Sequence, residues 1–175
     1  MTEKTGKAPG QTTSQVGPTR PRAERREAYR VFRTLGTRWM DNDAYGHANN
    51  AVYFSWFDTA VNAWLIDQGL LEVESGQTIG LVVENHCNYF ASLGFPQDIE
   101  VGLRVGHVGS SSVRYEIGIY APQAQTAAAQ GHLVHVYVDR HTRRPVPLPA
   151  ALRAATLALS GEGRVMTSFG NKEKE

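Results

Sequence analysis

Residues 41–57 read DNDAYGHANNAVYFSWF. Asp41 and Asp43 stand one residue apart, and a glycine, a histidine and two asparagines follow at once. Asn49 and Asn50 suit a helix N-cap, because a short side-chain carbonyl accepts from the free amides of the first turn. The string therefore sets an acid loop against the start of a helix. That start carries free N–H groups and the positive end of the helix dipole, which favour a developing negative charge. An acid facing such a helix end is equipment for attacking a carbonyl. The same letters also read as a surface turn, with Gly and Asn for geometry and Asp for solubility.

Downstream, 51–68 predicts the helix itself. Tyr53, Phe57, Val61, Trp64 and Leu65 recur at spacings of three and four on one face, with Asp58, Asn62 and Asp67 elsewhere on the wheel. Gly69 is a fitting C-cap. So aromatic a helix is expected to be buried along much of its length. Beyond a loop at 72–77 the period changes to two. Strands are expected at 79–89, 99–106, 113–119 and 133–139, the last with Val134, Val136 and Val138 on one face. Residues 109–111 form a hairpin turn, and Pro122 marks the next turn. Pro145, Pro147 and Pro149 stop the last strand ahead of a short amphipathic helix at 150–159.

Upstream, 28–40 reads as a first strand. Residues 1–26 hold almost no large apolar side chain and read as a disordered tail, and 161–175 as a flexible one. Within the first tail, Arg20, Arg22, Arg25 and Arg26 either touch phosphates or are simply solvated. One domain at 27–160 remains. The class is α+β, a five- to six-stranded antiparallel sheet with a long helix packed on one face.

The chain has 175 residues and a net charge of +1, so no global field favours nucleic acid or an anionic membrane. No apolar run approaches the roughly 20 residues of a membrane span. Residues 1–30 hold no apolar signal core. The lone Cys87 excludes an internal disulfide and suits a reducing, cytoplasmic setting; on a strand it reads as a small buried hydrophobe. There is no G-x-S-x-G, H-E-x-x-H, paired C-x-x-C, G-x-G-x-x-G or P-loop. His132 and His135 fall on opposite strand faces, so no metal site is expected. By elimination the acid loop is the candidate site.

DNDAYGHANNAVYF resembles the acid-loop signature of hotdog-fold acyl-CoA thioesterases of the 4-hydroxybenzoyl-CoA thioesterase-like family. NYFASLGFPQDIEVGLRVGHVGSSSVRYEIGIY and GHLVHVYVDRHTRRPVPLP are similar to its paired strands, and the resemblance spans 29–157. It implies a hotdog fold, and hydrolysis of an acyl-CoA to a free acid and CoA without metal or cofactor. It assigns the catalytic carboxylate to Asp43 and the oxyanion donor to the backbone N–H of Asn50. His47 and Asn49 match an H-x-N-N form shared with acyl-ACP thioesterases; His47 either orients the loop or moves a proton. Relatives often carry Asn where Tyr45 stands, and some carry basic residues at 110–112, where this chain has serines. Tyr45, Gly46, Asn49, Tyr53, Ser111 and Ser112 are the implied substrate contacts, and a homodimer or homotetramer the implied assembly. Arg140, Arg143 and Arg144 form a basic turn that either holds CoA phosphates or is solvated. Asp43 either activates water or attacks the carbonyl. An acyl-ACP thioesterase and a non-catalytic acyl-CoA-binding hotdog are the alternatives.

Overall fold

The computed structural model describes residues 21–160. Strand β1 is Val31–Gly36, helix α1 Asn50–Asp67, β2 Thr78–Tyr89, β3 Asp98–Val108, β4 Ser112–Tyr120, β5 Ala129–Asp139 and helix α2 Ala150–Ser160. The five strands form one antiparallel sheet in the order β1-β3-β4-β5-β2. β3, β4 and β5 are joined by hairpins. β2 instead pairs with β5, so residues 90–97 cross the end of the sheet to reach β3. That crossing passes directly beneath the start of α1. With its long buried helix, this is the hotdog arrangement.

β1 is shorter than the 28–40 expected, because 3-10 turns at Arg26–Ala28 and Trp39–Asp41 bracket it. α1 buries Tyr53, Trp56, Phe57, Ala60, Val61, Trp64 and Leu65 against the sheet. The inward face of β3 and β4 is apolar, with Ile99, Val101, Leu103, Val113, Ile117 and Ile119 all buried. β5 differs: its valines 134, 136 and 138 point away from α1. Its helix-facing residues include His135, and Tyr137, whose hydroxyl shares a 2.8 Å hydrogen bond with that of Tyr115. Tyr115 in turn meets Trp64 edge-on at 6.2 Å. Alternation alone cannot say which face of a strand meets the helix.

The outer face carries its own small cluster of Tyr29, Tyr120 and Ala127. A Cβ on Gly118 would lie 2.7 Å from the Tyr29 ring, so the ring needs a glycine beneath it. The chain leading to Tyr29 corrects the expected tail boundary at 26. Arg26 pairs with Glu100 at 2.8 Å, and Glu24 pairs with Arg104 at 2.9 Å. The Gln130 amide donates to the Arg22 carbonyl at 3.0 Å. Residues 22–26 are held by charge and backbone pairing rather than by apolar burial, which is why a hydropathy reading placed them in the tail. Arg25 pairs with Glu27, so Arg25 and Arg26 are both ion-paired. Arg20, the rest of residues 1–20 and residues 161–175 lie outside the described residues. No helix of the described residues is long and apolar enough to cross a membrane.

Candidate active site

The loop before α1 is built from its first acid inwards. Asp41 is 1% exposed. Its carboxylate accepts from the Arg38 backbone N–H at 2.7 Å and from the Arg38 guanidinium at 2.8 and 3.0 Å. Its carbonyl accepts from the Asn49 N–H at 2.8 Å, tying the loop to the helix cap. Asp41 is thus the buried anchor of the loop. Asn42 Oδ1 accepts from the Phe95 N–H at 3.0 Å, and the Ala48 N–H donates to the Leu93 carbonyl at 2.7 Å. The crossing segment therefore clamps both ends of the loop. Gly94 sits so close that a Cβ there would lie 3.1 Å from Asn42 Oδ1 and from the Gly46 carbonyl.

Asp43 stands at the top of this clamp, half-buried. Its N–H donates to the His47 carbonyl at 2.8 Å, and its carbonyl accepts from the Gly46 N–H at 3.1 Å. Gly46 takes φ +78°, a conformation that suits glycine. Asp43 Oδ1 accepts from the Tyr45 N–H at 2.8 Å and, more weakly, from the His47 N–H at 3.4 Å. Oδ2 has no hydrogen-bond partner among the described residues. The carboxylate is oriented through one oxygen and free at the other. His47 contributes to this orientation with its backbone, while its ring remains exposed.

Asn49 is the N-cap: its side-chain oxygen accepts from the Ala51 N–H at 3.0 Å. The Asn50 N–H has no acceptor among the described residues, leaving a free donor at the positive end of an 18-residue helix. The Tyr89 hydroxyl donates to the Asn50 carbonyl at 3.1 Å. Tyr89 also meets Tyr53 edge-on at 4.9 Å. Burial pushes the Tyr89 phenol up to about 12 and the neighbouring Cys87 thiol up to about 11, so both stay protonated at neutral pH. A cleft of about 270 Å³ opens here, lined by His47, Ala48, Asn50, Tyr53, Tyr89 and residues 90–92.

His47, Asn50 and Tyr53 thus share one cleft, with Asp43, Tyr45, Gly46 and Asn49 in the loop beside it. Ser111 and Ser112 are elsewhere. Tyr89 pairs with Ala129 on β5, whereas Ser112 is tied through β4 to Val136. Seven residues of strand separate these points, roughly 23 Å at ordinary strand rise. One protomer alone does not bring the serines to the loop. Arg140 is also occupied: its guanidinium donates to the carbonyls of Gly76 at 2.6 Å and Val73 at 2.8 Å, pinning the loop before β2. Arg143 and Arg144 are exposed at the tip of the turn. His132 bridges Arg114 and Glu84 on the outer face, and no three His, Cys, Asp or Glu side chains among the described residues group to hold a metal. Sequence reasoning missed Tyr89 and the 93–95 clamp. Their roles depend on a sheet crossing that no local pattern announces; the glycine of SLGF was the one available hint.

Comparison with known proteins bears on this geometry. The thioesterase-like superfamily profile matches residues 37–156. The PA5185 protein of Pseudomonas aeruginosa is 48% identical, covering 82% of this chain and 100% of that one, with a TM-score of 0.78. PA2801 of the same organism, a putative thioesterase, is 29% identical, covering 73% of this chain and 98% of its own, with a TM-score of 0.66. YsmA of Bacillus subtilis is 24% identical over 93 residues, or 53% of this chain. The chain spans 63% of the length of that curated relative.

Proposed function

We propose a thioester hydrolase, because the chain belongs to the thioesterase-like superfamily. The substrate is an acyl-CoA and the products are a free carboxylic acid and CoA. The thioester carbonyl oxygen lies at the Asn50 N–H, where the helix dipole and a free donor stabilise the oxyanion of the tetrahedral intermediate. Asp43 acts through Oδ2. It either removes a proton from an attacking water or bonds to the carbonyl carbon to give an anhydride that water then cleaves. In both routes the C–S bond breaks and the sulfur leaves as the CoA thiol. Asn49 keeps the helix start open for the carbonyl, Gly46 lets the loop turn tightly beside it, and Tyr45 and Tyr53 flank the acyl group.

The observation that carries this reading is the contrast between the two acids of the loop. Asp41 is consumed by Arg38, while Asp43 keeps an unpartnered oxygen beside a helix start with an unpartnered amide.

The working unit is a homodimer formed by antiparallel pairing of two β2 edges. Leu81, Val82 and Val83 are 36%, 41% and 62% exposed on this edge strand, an arrangement that invites a second strand. A two-fold axis near the middle of β2 sets the start of one copy's β2 beside the end of the other's. Ser111, Ser112, Arg143 and Arg144 of the partner subunit then approach the cleft from across the axis and meet the CoA phosphates. A cytoplasmic setting agrees with the free Cys87 thiol.

The test is a hydrolysis screen over short, long and aryl CoA thioesters with released thiol as readout. It uses the natural chain and Asp43→Asn. Turnover by the natural chain that Asp43→Asn abolishes is expected; equal turnover by both overturns the assignment.

A further inference from the structure

The Asp43 carboxylate is oriented by its own loop. Among the described residues, every hydrogen bond of residues 43–47 stays inside that loop, from the Tyr45 and His47 N–H groups on Asp43 Oδ1 to the Asp43 N–H on the His47 carbonyl. Where the whole loop stands relative to the Asn50 amide is decided at its joins to the rest of the chain. At the base, the Asp41 carbonyl accepts from the Asn49 N–H at 2.8 Å. On the return arm, the Ala48 N–H donates to the Leu93 carbonyl at 2.7 Å. On the rising arm the join is a side chain: the Phe95 N–H donates to Asn42 Oδ1 at 3.0 Å. Asn42 and Ala48 also face each other across the loop as an isolated antiparallel bridge. The Asn42 carboxamide oxygen thus stands in for a main-chain carbonyl, so that segment 93–95 ties both arms at once.

The same segment also holds the helix start. It leaves the end of β2 at Tyr89, whose hydroxyl donates to the Asn50 carbonyl at 3.1 Å. The Phe90 and Ala91 N–H groups both donate to the Ala128 carbonyl, at 2.8 and 3.0 Å, which fastens the segment to the chain entering β5. Residues 89–95 therefore reach both halves of the site, the helix start through Tyr89 and the acid arm through Phe95 and Asn42. There is little slack between them. A Cβ on Gly94 would lie 3.1 Å from both Asn42 Oδ1 and the Gly46 carbonyl, closer than ordinary contact. Resting on the thioesterase reading above, we propose that Asn42 is a positioning residue for the hydrolysis. Its side-chain carbonyl, held by the Phe95 N–H, sets the reach of the Asp43 carboxylate toward a thioester at the Asn50 amide. Asn42 itself does not meet the reacting atoms in this scheme; it acts through Asp43. A misplacement of about 1 Å can slow a reaction about a hundredfold, so a rigid join behind the reacting groups controls rate.

The experiment measures kcat, KM and melting temperature for the natural chain, Asn42→Ala, Asn42→Asp and Gly94→Ala. It uses the CoA thioester that the screen above finds fastest, with turnover expressed per folded protein. Asn42→Ala removes the acceptor, and kcat is expected to fall about tenfold with KM within about twofold. Asn42→Asp, assayed at neutral pH where a carboxyl is ionised, keeps an oxygen acceptor at the same reach. It is expected to return kcat to within about threefold of the natural chain. Gly94→Ala leaves Asn42 in place and presses on the loop from the other side, and is expected to lower kcat several-fold at unchanged KM. A lower melting temperature in Asn42→Ala with kcat per folded protein unchanged makes the contact structural only and overturns the proposal. A change in KM alone, or an Asn42→Asp as slow as Asn42→Ala, overturns it too. Should Asn42→Ala not fold, Gly94→Ala decides: a slowed kcat keeps the proposal and a normal one ends it. If the natural chain hydrolyses no CoA thioester, the hydrolase reading fails, and the join is read by amide hydrogen exchange instead. Faster exchange at Asp43 and Ala48 in Asn42→Ala or Gly94→Ala, with α1 unchanged, keeps Asn42 as the tie that places the loop; unchanged exchange there removes it.

Discussion

The Tyr89 hydroxyl donates to the Asn50 carbonyl across 3.1 Å, joining the end of the edge strand β2 to the first turn of α1. That turn holds the free amide proposed to receive the thioester carbonyl, so a strand end and the proposed oxyanion site are mechanically one unit.

Tyr89→Phe removes only the hydroxyl. It is expected to lower kcat several-fold by loosening the helix start, while costing about 1 kcal/mol of stability, the usual net worth of one hydrogen bond. Steady-state kinetics and urea melts of the same preparation check both halves. Unchanged kcat would show that the helix start is rigid without it.

Asp43→Asn keeps shape and removes charge. Turnover is expected to fall by roughly 10² to 10⁴ with the melting temperature nearly unchanged, because only the oriented carboxylate is lost. Asp41→Asn is expected to do the reverse. It takes the charge from a buried carboxylate whose partner Arg38 is largely exposed, and lowers stability by about 1.5 kcal/mol, the scale of losing charge-assisted hydrogen bonds, with activity surviving in the folded fraction. Active-site titration together with thermal melts separates the two; a dead but fully stable Asp41→Asn would reverse the roles.

His135 is 2% exposed, and burial pushes its imidazole down to about 4. Its folded value lies below its unfolded one. The unfolded chain therefore takes up a proton first as pH falls through about 6.5, and the folded chain only near 4. Stability should be flat above pH 7 and should decline across that window by on the order of 3 kcal/mol. His135→Gln, which cannot titrate, should flatten the curve of melting temperature against pH. A decline of equal size in the variant would assign the acid sensitivity elsewhere.

Glu24 meets Arg104, whose own side chain is 25% exposed, from the segment lying over the outer sheet face. Glu24→Ala is expected to cost about 1 kcal/mol, since the pair is partly open to solvent. Turnover should be untouched, because the pair lies on the face away from α1. Thermal melts against the natural chain at low and high salt will show whether the loss shrinks with screening.

Val83→Lys places a charge in the middle of the exposed β2 edge. Analytical ultracentrifugation at micromolar concentration is expected to show monomer in place of dimer, with turnover lost in parallel. A dimer that persists would move the subunit contact away from β2.

The acid loop, the N-cap and the helical face of Tyr53, Phe57, Val61, Trp64 and Leu65 are all legible in the sequence, because caps and periodicity are properties of neighbouring residues. The antiparallel strands are legible for the same reason. Their order is not: pairing β2 with β5 instead of β3 is a long-range choice, and it alone brings Tyr89, Leu93 and Gly94 beneath the loop. An acid loop preceding a capped helix over an alternating sheet is readable from neighbouring letters alone. Tertiary structure decided that Asp41 is the buried anchor and Asp43 the carboxylate with a free oxygen. Two acids one residue apart are chemically identical as letters, and only the fold sets Arg38 against one and open space against the other.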